Sequence, residues 1–262
     1  MNYPILNHII IVLTLVLAIS VIFRYLHLPQ ILGYLLVGAF AGYAIIPETN
    51  IWKLSPSIPH DYASLLDPLG NAVHTVLAGP IAATTVAVTG CGAIGLFSIA
   101  VAKACGASRV FAIEVNAHRR KVASEMGADL ALDPKTDHVE KRILEATGGT
   151  GVDVLLEMSG HPEAIRLGFA VLRTGGRASL LGIPSRPFEL DFAKDIIFKG
   201  ALVQGINGRK MFETWFQMEA LLATGKLNLE PAITHRLKLS EFHKAMELLQ
   251  SGEAIKVVMK PE

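Results

Sequence analysis

Apolar residues between positions 61 and 225 occur in short runs of two alternating kinds. The run "TVAVTG" (85–90) is rich in β-branched residues, which is typical of a short buried strand. The run "IGLFSIAVAKACG" predicts a helix that ends at Gly106, and "RVFAIEV" predicts a second strand that ends near Glu114. A strand, a helix and a strand in this order predict two parallel strands joined by a crossover helix.

The same alternation continues to residue 208. The predicted elements are a helix closed by Gly127, a strand at 152–160, a helix ending at Gly175 and Gly176, and strands at 177–184 and 201–208. We therefore predict an α/β fold, a Rossmann-type doubly wound parallel sheet, over residues 61–225. In the remaining segment, 226–262, "SEFHKAMELLQSG" predicts a helix with Ser240 as N-cap, and "AIKVVM" predicts a final strand.

The amino-terminal pattern is different, because residues 1–23 contain no charged side chain. From Ile9 to Phe23 every residue except Thr14 and Ser20 is apolar, and Arg24 is the first charge. About 20 apolar residues suffice to cross a bilayer, so we predict that a transmembrane helix precedes the sheet, with residues 4–26 in the membrane. A helix buried in a soluble protein is the alternative; a cleaved signal peptide is disfavoured because no positive segment precedes the run.

A glycine motif follows the first predicted strand. Gly90, Gly92 and Gly95 form G-x-G-x-x-G, which permits a tight turn, close approach of a pyrophosphate, and close packing of helix on strand. The amino terminus of the next helix offers free N–H groups to phosphate. Glu114 follows Gly95 by about 20 residues, the spacing expected for the acid that binds the adenosine ribose. These features together predict a dinucleotide site.

The acid at position 114 also favours one dinucleotide over another. A carboxylate accepts hydrogen bonds from a ribose 2′-OH and repels a 2′-phosphate, so we predict NAD rather than NADP. Arg119 and Arg120 leave the alternative open, because an arginine can bind that phosphate; otherwise both belong to a solvated helix face. The carboxyl ends of the later strands belong to the same side of the sheet, where ligands bind. The residues at those ends are Ser159, Gly160, Leu181, Gly182, Ile183, Ile206 and Asn207, of which Ser159 and Asn207 are equally explained as turn residues.

Composition narrows the classes of function. The net charge is +1, so the chain shows no sign of a nucleic-acid partner, and the mean hydropathy of +0.43 reflects the amino-terminal run. Cys91 and Cys105 are the two cysteines; they cannot form a disulfide framework and lack the spacing of a self-contained zinc site. We therefore assign no metal ligand.

Several blocks resemble the zinc-dependent L-threonine 3-dehydrogenases of the medium-chain dehydrogenase superfamily, over residues 38–262. They are "DPLGNAVHT" (67–75), "GCGAIG", "LEMSG", "LLGIP", "FKG", "GRKMFETW" (208–215) and "ITHR". The resemblance implies NAD contacts at Ile94, Glu114, Arg119, Leu181 to Ile183, Ile206 and Asn207. It also implies that Asp67 lies beside the catalytic metal and supports proton transfer. From the residues alone, Asp67 is equally a helix-capping acid. His74 is more often a helix histidine that faces the cleft than a ligand. His235 could be either of these.

The first residues carry a second resemblance. Residues 1–38, with "LPQILGYLLVG", are similar to the opening of a potassium-efflux cation:proton antiporter. They stand where the threonine dehydrogenases have the domain that supplies the zinc ligands. We therefore expect four segments: a hydrophobic segment at 1–37, a remnant of the catalytic, GroES-like domain at 38–60, the NAD-binding domain at 61–225, and a return segment at 226–262.

This arrangement predicts an NAD-binding part of a threonine dehydrogenase-like oxidoreductase that is inactive alone. The family needs zinc to deprotonate the substrate hydroxyl, and a catalytic zinc ordinarily has three protein ligands. L-threonine is then a substrate only if a zinc domain is supplied. The alternatives are a membrane-tethered NAD sensor or a non-functional gene fusion. We expect the NAD site on the cytoplasmic side of the membrane, and homo-oligomers as in the family.

Overall fold

The computed structural model describes residues 48–261 of the chain. The predicted transmembrane helix, the antiporter-like opening and residues 38–47 of the predicted remnant at 38–60 fall outside these residues. The chain divides into two units, Met1–Lys53 and Leu54–Glu262. The described part of the first unit contains a short 3-10 turn at Glu48–Asn50. Within residues 48–261 no helix is both long and apolar enough to span a bilayer.

A six-stranded parallel sheet forms the centre of the second unit. Its strands are β1 Thr85–Thr89, β2 Arg109–Ile113, β3 Leu130–Leu132, β4 Val152–Glu157, β5 Leu172–Leu180 and β6 Leu202–Gly205. Their order is β3-β2-β1-β4-β5-β6, so the direction of winding reverses between β1 and β4. This order confirms the predicted doubly wound sheet. The sequence pattern missed β3, because three residues are too short a run to show a period.

Helices cover both faces of the sheet. The helices of the described residues are α1 His60–Ala63, α2 Leu66–Val76, α3 Ala93–Ala104, α4 Ala117–Glu125, α5 Val139–Ala146, α6 Pro162–Val171, α7 Glu213–Ala223 and α8 Phe242–Gln250, of which α8 packs on the smaller sheet described below. The side chains of β1 alternate between the faces: Val86 and Val88 belong to the core with α2, α3 and α4, and Ala87 belongs to the core with α5 and α6. Burial on both faces explains why β1 has no alternation of polar and apolar residues.

The helix predicted to end at Gly175 and Gly176 ends earlier, at Val171, and the two glycines lie within β5. The physical reason is a distant lysine. The Nζ atom of Lys199 donates to the carbonyl oxygens of Phe169 (2.5 Å) and Leu172 (2.6 Å) at the helix terminus. A cation there satisfies orphan carbonyls and opposes the negative end of the helix dipole. Burial lowers the pKa of Lys199. The block "FKG" therefore has a structural role, because its lysine ends α6.

A second, two-stranded parallel sheet ends the chain. It pairs β7 Ile233–Lys238 with β8 Lys256–Lys260, and α8 lies between them in sequence. The predicted strand "AIKVVM" is confirmed by β8. The predicted cap is wrong: Ser240 lies within a 3-10 turn, Leu239–Glu241, and α8 begins at Phe242 without a side-chain cap.

Candidate dinucleotide-binding site

The glycine motif forms the turn between β1 and α3, as its spacing predicts. Gly92 is the residue just before α3, and no side chain caps the helix, so the first N–H groups of α3 remain available. A β-carbon on Gly95 would lie 2.0 Å from the carbonyl oxygen of Gly90, so helix and turn approach too closely for any side chain. A β-carbon on Gly92 would meet nothing within 4 Å. The turn therefore leaves open space in front of the amino terminus of α3.

Glu114 lies beside this turn, directly after β2. Its Oε2 accepts from the amide of Cys91 at 2.7 Å, and its Oε1 accepts from the amide of Asn116 at 2.9 Å. The residue is 7% exposed. Each carboxylate oxygen has two lone pairs, so each can accept a further hydrogen bond. The acid is thus fixed to the glycine turn and retains acceptors for a sugar hydroxyl.

The two arginines after β2 are in different situations. Arg120 donates from its guanidinium to the carbonyl oxygens of Glu114 and Val115, both at 2.8 Å, and forms an ion pair with Asp133 at 3.0 Å. It is therefore part of the turn and not a residue of a solvated helix face. The Nε atom of Arg119 is buried and has no hydrogen-bond partner. A buried unpaired donor is costly, so a ligand acceptor at this atom would relieve that cost.

Cys91 lies inside the glycine motif and is fully buried. Burial, with the nearby Glu114 carboxylate, raises the pKa of its thiol far above the usual range. The thiol is therefore neutral at physiological pH and is not a nucleophile.

The loops after β4, β5 and β6 form the other half of the same edge. The loops after β4 and β5 pack backbone against backbone, since a β-carbon on Gly182 would lie 2.2 Å from the amide nitrogen of Gly160. Ile206 is buried, and its amide donates to the carbonyl of Leu180 at 2.9 Å. Ile183 is 89% exposed, an apolar side chain presented to the open side of the edge.

The predicted cofactor-binding residues thus fall at the carboxyl ends of the strands, in two groups separated by the reversal of strand order. The group by β1 and β2 contains Gly90, Gly92, Ile94, Gly95, Glu114 and Arg119. The group by β5 and β6 contains Leu181, Gly182, Ile183, Ile206 and Asn207. Because the reversal creates a crevice at the carboxyl ends of the strands, this is where a dinucleotide is expected.

Asp67 lies apart from these groups, in the first turn of α2. Its carboxylate is exposed and forms an ion pair with the guanidinium of Arg209. No side chain caps α2, so the interpretation of Asp67 as a helix-capping acid is wrong. Its role in proton transfer stays a prediction.

The block "GRKMFETW" packs against α2. His74 donates from Nδ1 to the carbonyl of Gly208 at 2.7 Å. The guanidinium of Arg209 also lies over the Trp215 ring, 5.5 Å from its centroid. His74 is therefore a helix histidine with a structural partner, and the block connects α2 to the loop after β6. His235 lies on β7, and its Nδ1 is buried without a partner.

Zinc does not fit the described residues. Across residues 48–261 there is no group of three or more His, Cys, Asp or Glu side chains that could hold a metal ion. The carboxylate of Asp67 forms an ion pair with Arg209 instead.

Sequence reasoning missed one buried acid in the site. Glu157 is the last residue of β4 and is 0% exposed. An acid at the end of the strand "VDVLLE" is the signal that could have indicated it, because carboxylates are rarely buried without partners.

Comparisons with known proteins all indicate a dehydrogenase. A family model described as zinc-binding dehydrogenase matches residues 93–224. The chain is 47% identical over 235 residues to an L-threonine 3-dehydrogenase from Symbiobacterium thermophilum, covering 89% of this chain and 67% of that protein. It is 48% identical over 231 residues to one from Bacillus licheniformis, covering 88% and 67%.

Solved structures agree with these relatives. An alcohol dehydrogenase from Thermotoga maritima superimposes with a TM-score of 0.75 at 32% identity, over 80% of this chain and 60% of that one. The chain therefore spans 67% of the curated relatives named above and 60% of this solved structure.

Replacing Gly95 by alanine should destabilise the fold much more than replacing Gly92 by alanine. Gly95→Ala places a methyl group against the Gly90 carbonyl, so we expect a loss of about 3 kcal/mol in the free energy of unfolding. Gly92→Ala meets open space at a φ of −67° that alanine adopts freely, so we expect a change within about 1 kcal/mol. Urea unfolding of the full chain measures both. Equal losses in the two variants would contradict this geometry of the turn.

Proposed function

The chain belongs to the zinc-binding dehydrogenase family of medium-chain dehydrogenases, and on that premise we propose that it binds NAD at the carboxyl edge of its six-stranded sheet. One observation carries the proposal. The Cys91 amide, inside the glycine motif, donates to Glu114, so the phosphate-binding turn and the ribose-binding acid form one unit. Both lie beside the reversal of strand order, where a dinucleotide crosses between the two halves of the fold.

The roles of the residues follow from this unit. The free amides at the start of α3 would hold the pyrophosphate, with the helix dipole favouring the negative charge. Glu114 would accept from the hydroxyls of the adenosine ribose, and the unpaired Nε of Arg119, in the helix that follows, is a further donor for the ligand. The loops that carry Ile183 and Ile206 would hold the nicotinamide half. When bound, NAD supplies a hydride acceptor.

The same geometry supports NAD over NADP. A 2′-phosphate would approach the Glu114 carboxylate and be repelled by it. Arg120 is committed to two carbonyl oxygens and Asp133 and is not free to neutralise that phosphate.

Glu114→Ala should weaken NAD binding by about tenfold or more, because it removes the acceptor of charge-assisted hydrogen bonds to the ribose. Isothermal titration calorimetry on the full chain measures the affinity. The variant should also narrow the difference in affinity between NAD and NADP, because the repulsion is removed as well. A matched control is Glu125→Ala, which removes an exposed acid from the end of α4 and should leave the affinity unchanged.

Undiminished NAD affinity in Glu114→Ala would overturn the assignment of the ribose acid. Absence of NAD binding by the unmodified chain would overturn the proposed function itself.

For the reaction, we propose that this chain is the cofactor-binding part of an L-threonine 3-dehydrogenase-like enzyme and that it does not oxidise L-threonine to 2-amino-3-oxobutanoate alone. The threonine dehydrogenases that it resembles support the substrate class. The described residues offer no set of three zinc ligands, and Asp67 is paired with Arg209. Residues 48–261 would therefore give a substrate hydroxyl no Lewis acid to lower its pKa. The competing proposal, a membrane-tethered NAD sensor, is supported by the apolar run from Ile9 to Phe23, which lies outside the described residues.

The proposal on turnover is tested by NADH formation from L-threonine, NAD and added zinc, followed by absorbance. We expect no rate above a control without protein, while calorimetry on the same sample still detects NAD. A zinc-dependent rate would show that residues of this chain do complete a catalytic site.

We further propose that the chain forms homo-oligomers through β6, the outermost strand on one side of the sheet. Among residues 48–261, β6 pairs with β5 on one side and with no strand on the other. Large apolar side chains are exposed beside this edge, notably Leu202 at 62% and Phe198 at 81%. An unpaired edge strand with exposed apolar side chains is suited to pairing with a second copy.

Leu202→Lys should shift the chain toward the monomer, because a charge at the paired edge is costly to bury. Sedimentation velocity on the full chain measures the mass. Leu249→Lys, an exposed leucine on α8, is the matched control and should leave the mass unchanged. A monomer for the unmodified chain, or an unchanged mass for Leu202→Lys, would contradict this interface.

A further inference from the structure

The carboxylate of Glu157 is fully buried and is a centre of hydrogen bonds at the carboxyl end of β4. Its Oε1 accepts from the Ser159 amide (2.9 Å), the Ser159 hydroxyl (2.5 Å), the Gly160 amide (3.1 Å) and the Thr89 hydroxyl (3.3 Å). Its Oε2 accepts from the same Gly160 amide at 3.2 Å. These donors come from the end of β1 and from the loop after β4. One side chain therefore joins the ends of the two strands at which the winding of the sheet reverses.

Within the described residues this carboxylate has no cationic partner within 4.0 Å. Burying a charge without a counter-ion is expensive unless hydrogen bonds satisfy it. What the acid provides is a set of acceptors for loop amides that would otherwise be unpaired.

The main chain of Glu157 also fixes the loop after β5. Its carbonyl oxygen accepts from the amides of Leu181 (2.9 Å) and Gly182 (3.0 Å). A β-carbon on Gly182 would lie 2.4 Å from Oε2 of the acid, so this loop rests directly on the carboxylate. A β-carbon on Gly90 would lie 2.7 Å from the β-carbon of Ser159, so the loop after β4 also touches the glycine turn.

We propose that Glu157 is a positioning residue for the nicotinamide half of the dinucleotide site. It holds the loops after β4 and β5, which form the second mononucleotide-binding half, and its hydrogen bond to the first half comes from Thr89 at the end of β1. The proposal rests on the proposed NAD function, because it assigns a role within that site. With the loops held before binding, the ligand does not lose affinity in ordering them.

The chain contains a matched control on the same strand. At the amino end of β4, Asp153 accepts from the amide and the hydroxyl of Thr85, both at 2.7 Å, and from Arg173 at 2.6 Å. Thr85 and Asp153 thus link β1 to β4 at the edge opposite the site, as Thr89 and Glu157 link them at the site. Loss of Asp153 perturbs the sheet but leaves the loops at the carboxyl edge intact.

The experiment compares Glu157→Gln with Asp153→Asn in the full chain, with NAD and AMP as separate calorimetric ligands. In Glu157→Gln the new NH₂ group opposes the Gly160 amide, so NAD affinity should fall about tenfold. The affinity for AMP, which lacks the nicotinamide half, should stay within about twofold. Asp153→Asn should leave both affinities within about twofold, whatever its melting temperature. In the ligand-free protein, hydrogen exchange at residues 158–160 should be faster in Glu157→Gln alone.

Equal losses of NAD and AMP affinity in Glu157→Gln would mean a general structural role and would overturn the proposal, as would unchanged NAD affinity. If the variant does not fold, Thr89→Val removes one donor to the carboxylate at nearly constant volume. Thr89→Val should then lower the affinity for NAD a few-fold and leave the affinity for AMP unchanged. Equal effects on the two affinities would overturn the proposal. Failure of the unmodified chain to bind NAD is a separate result, which removes the proposed function and this role with it.

Discussion

Contact between backbones at the carboxyl edge of the sheet is the constraint on which the candidate site depends. The first turn of α3 touches the turn after β1 at Gly95, and the loops after β4 and β5 touch at Gly160 and Gly182. Side chains at these three positions would overlap main-chain atoms. Because the loops are this close, the Gly160 amide can donate to the buried carboxylate of Glu157. The glycine turn leaves open space before α3, where its amides can meet a ligand. The site is therefore made mainly of main-chain groups held in place by close packing.

Two acids stabilise the two halves of this edge in similar ways. Glu114 accepts from amides of the glycine motif and of the turn after β2, whereas Glu157 accepts from the loop after β4 and from β1. Each satisfies amides that a turn would otherwise leave unpaired. The difference lies in access, because Glu114 is 7% exposed and Glu157 is 0% exposed. An acid with remaining access can meet a ligand, and one without access can act only through the loops that it holds.

The blocks shared with the threonine dehydrogenases divide between site and support. Lys199 in "FKG" closes the carboxyl end of α6, and Arg209 in "GRKMFETW" pairs with Asp67 and lies over Trp215. These side chains fix α6 and the loop after β6, and the described structure gives them no reacting partner. Likeness in such blocks supports common ancestry more directly than it supports a common reaction, because a fold can be kept without its chemistry.

The sequence by itself determined five of the six strands of the large sheet, the helices α3, α4 and α6, the glycine turn and the acid at 114, because each depends on residues near one another in the chain. Period, turn chemistry and the spacing from Gly95 to Glu114 are local properties that a linear pattern records. Only the tertiary structure decided that Lys199 ends α6, that Asp67 meets Arg209, and that Glu157 joins two strands. In each case the partners are remote in sequence and meet only when the parallel strands take their order. A hydrogen bond of this kind is set by strand order and register, which the linear pattern of residues does not contain.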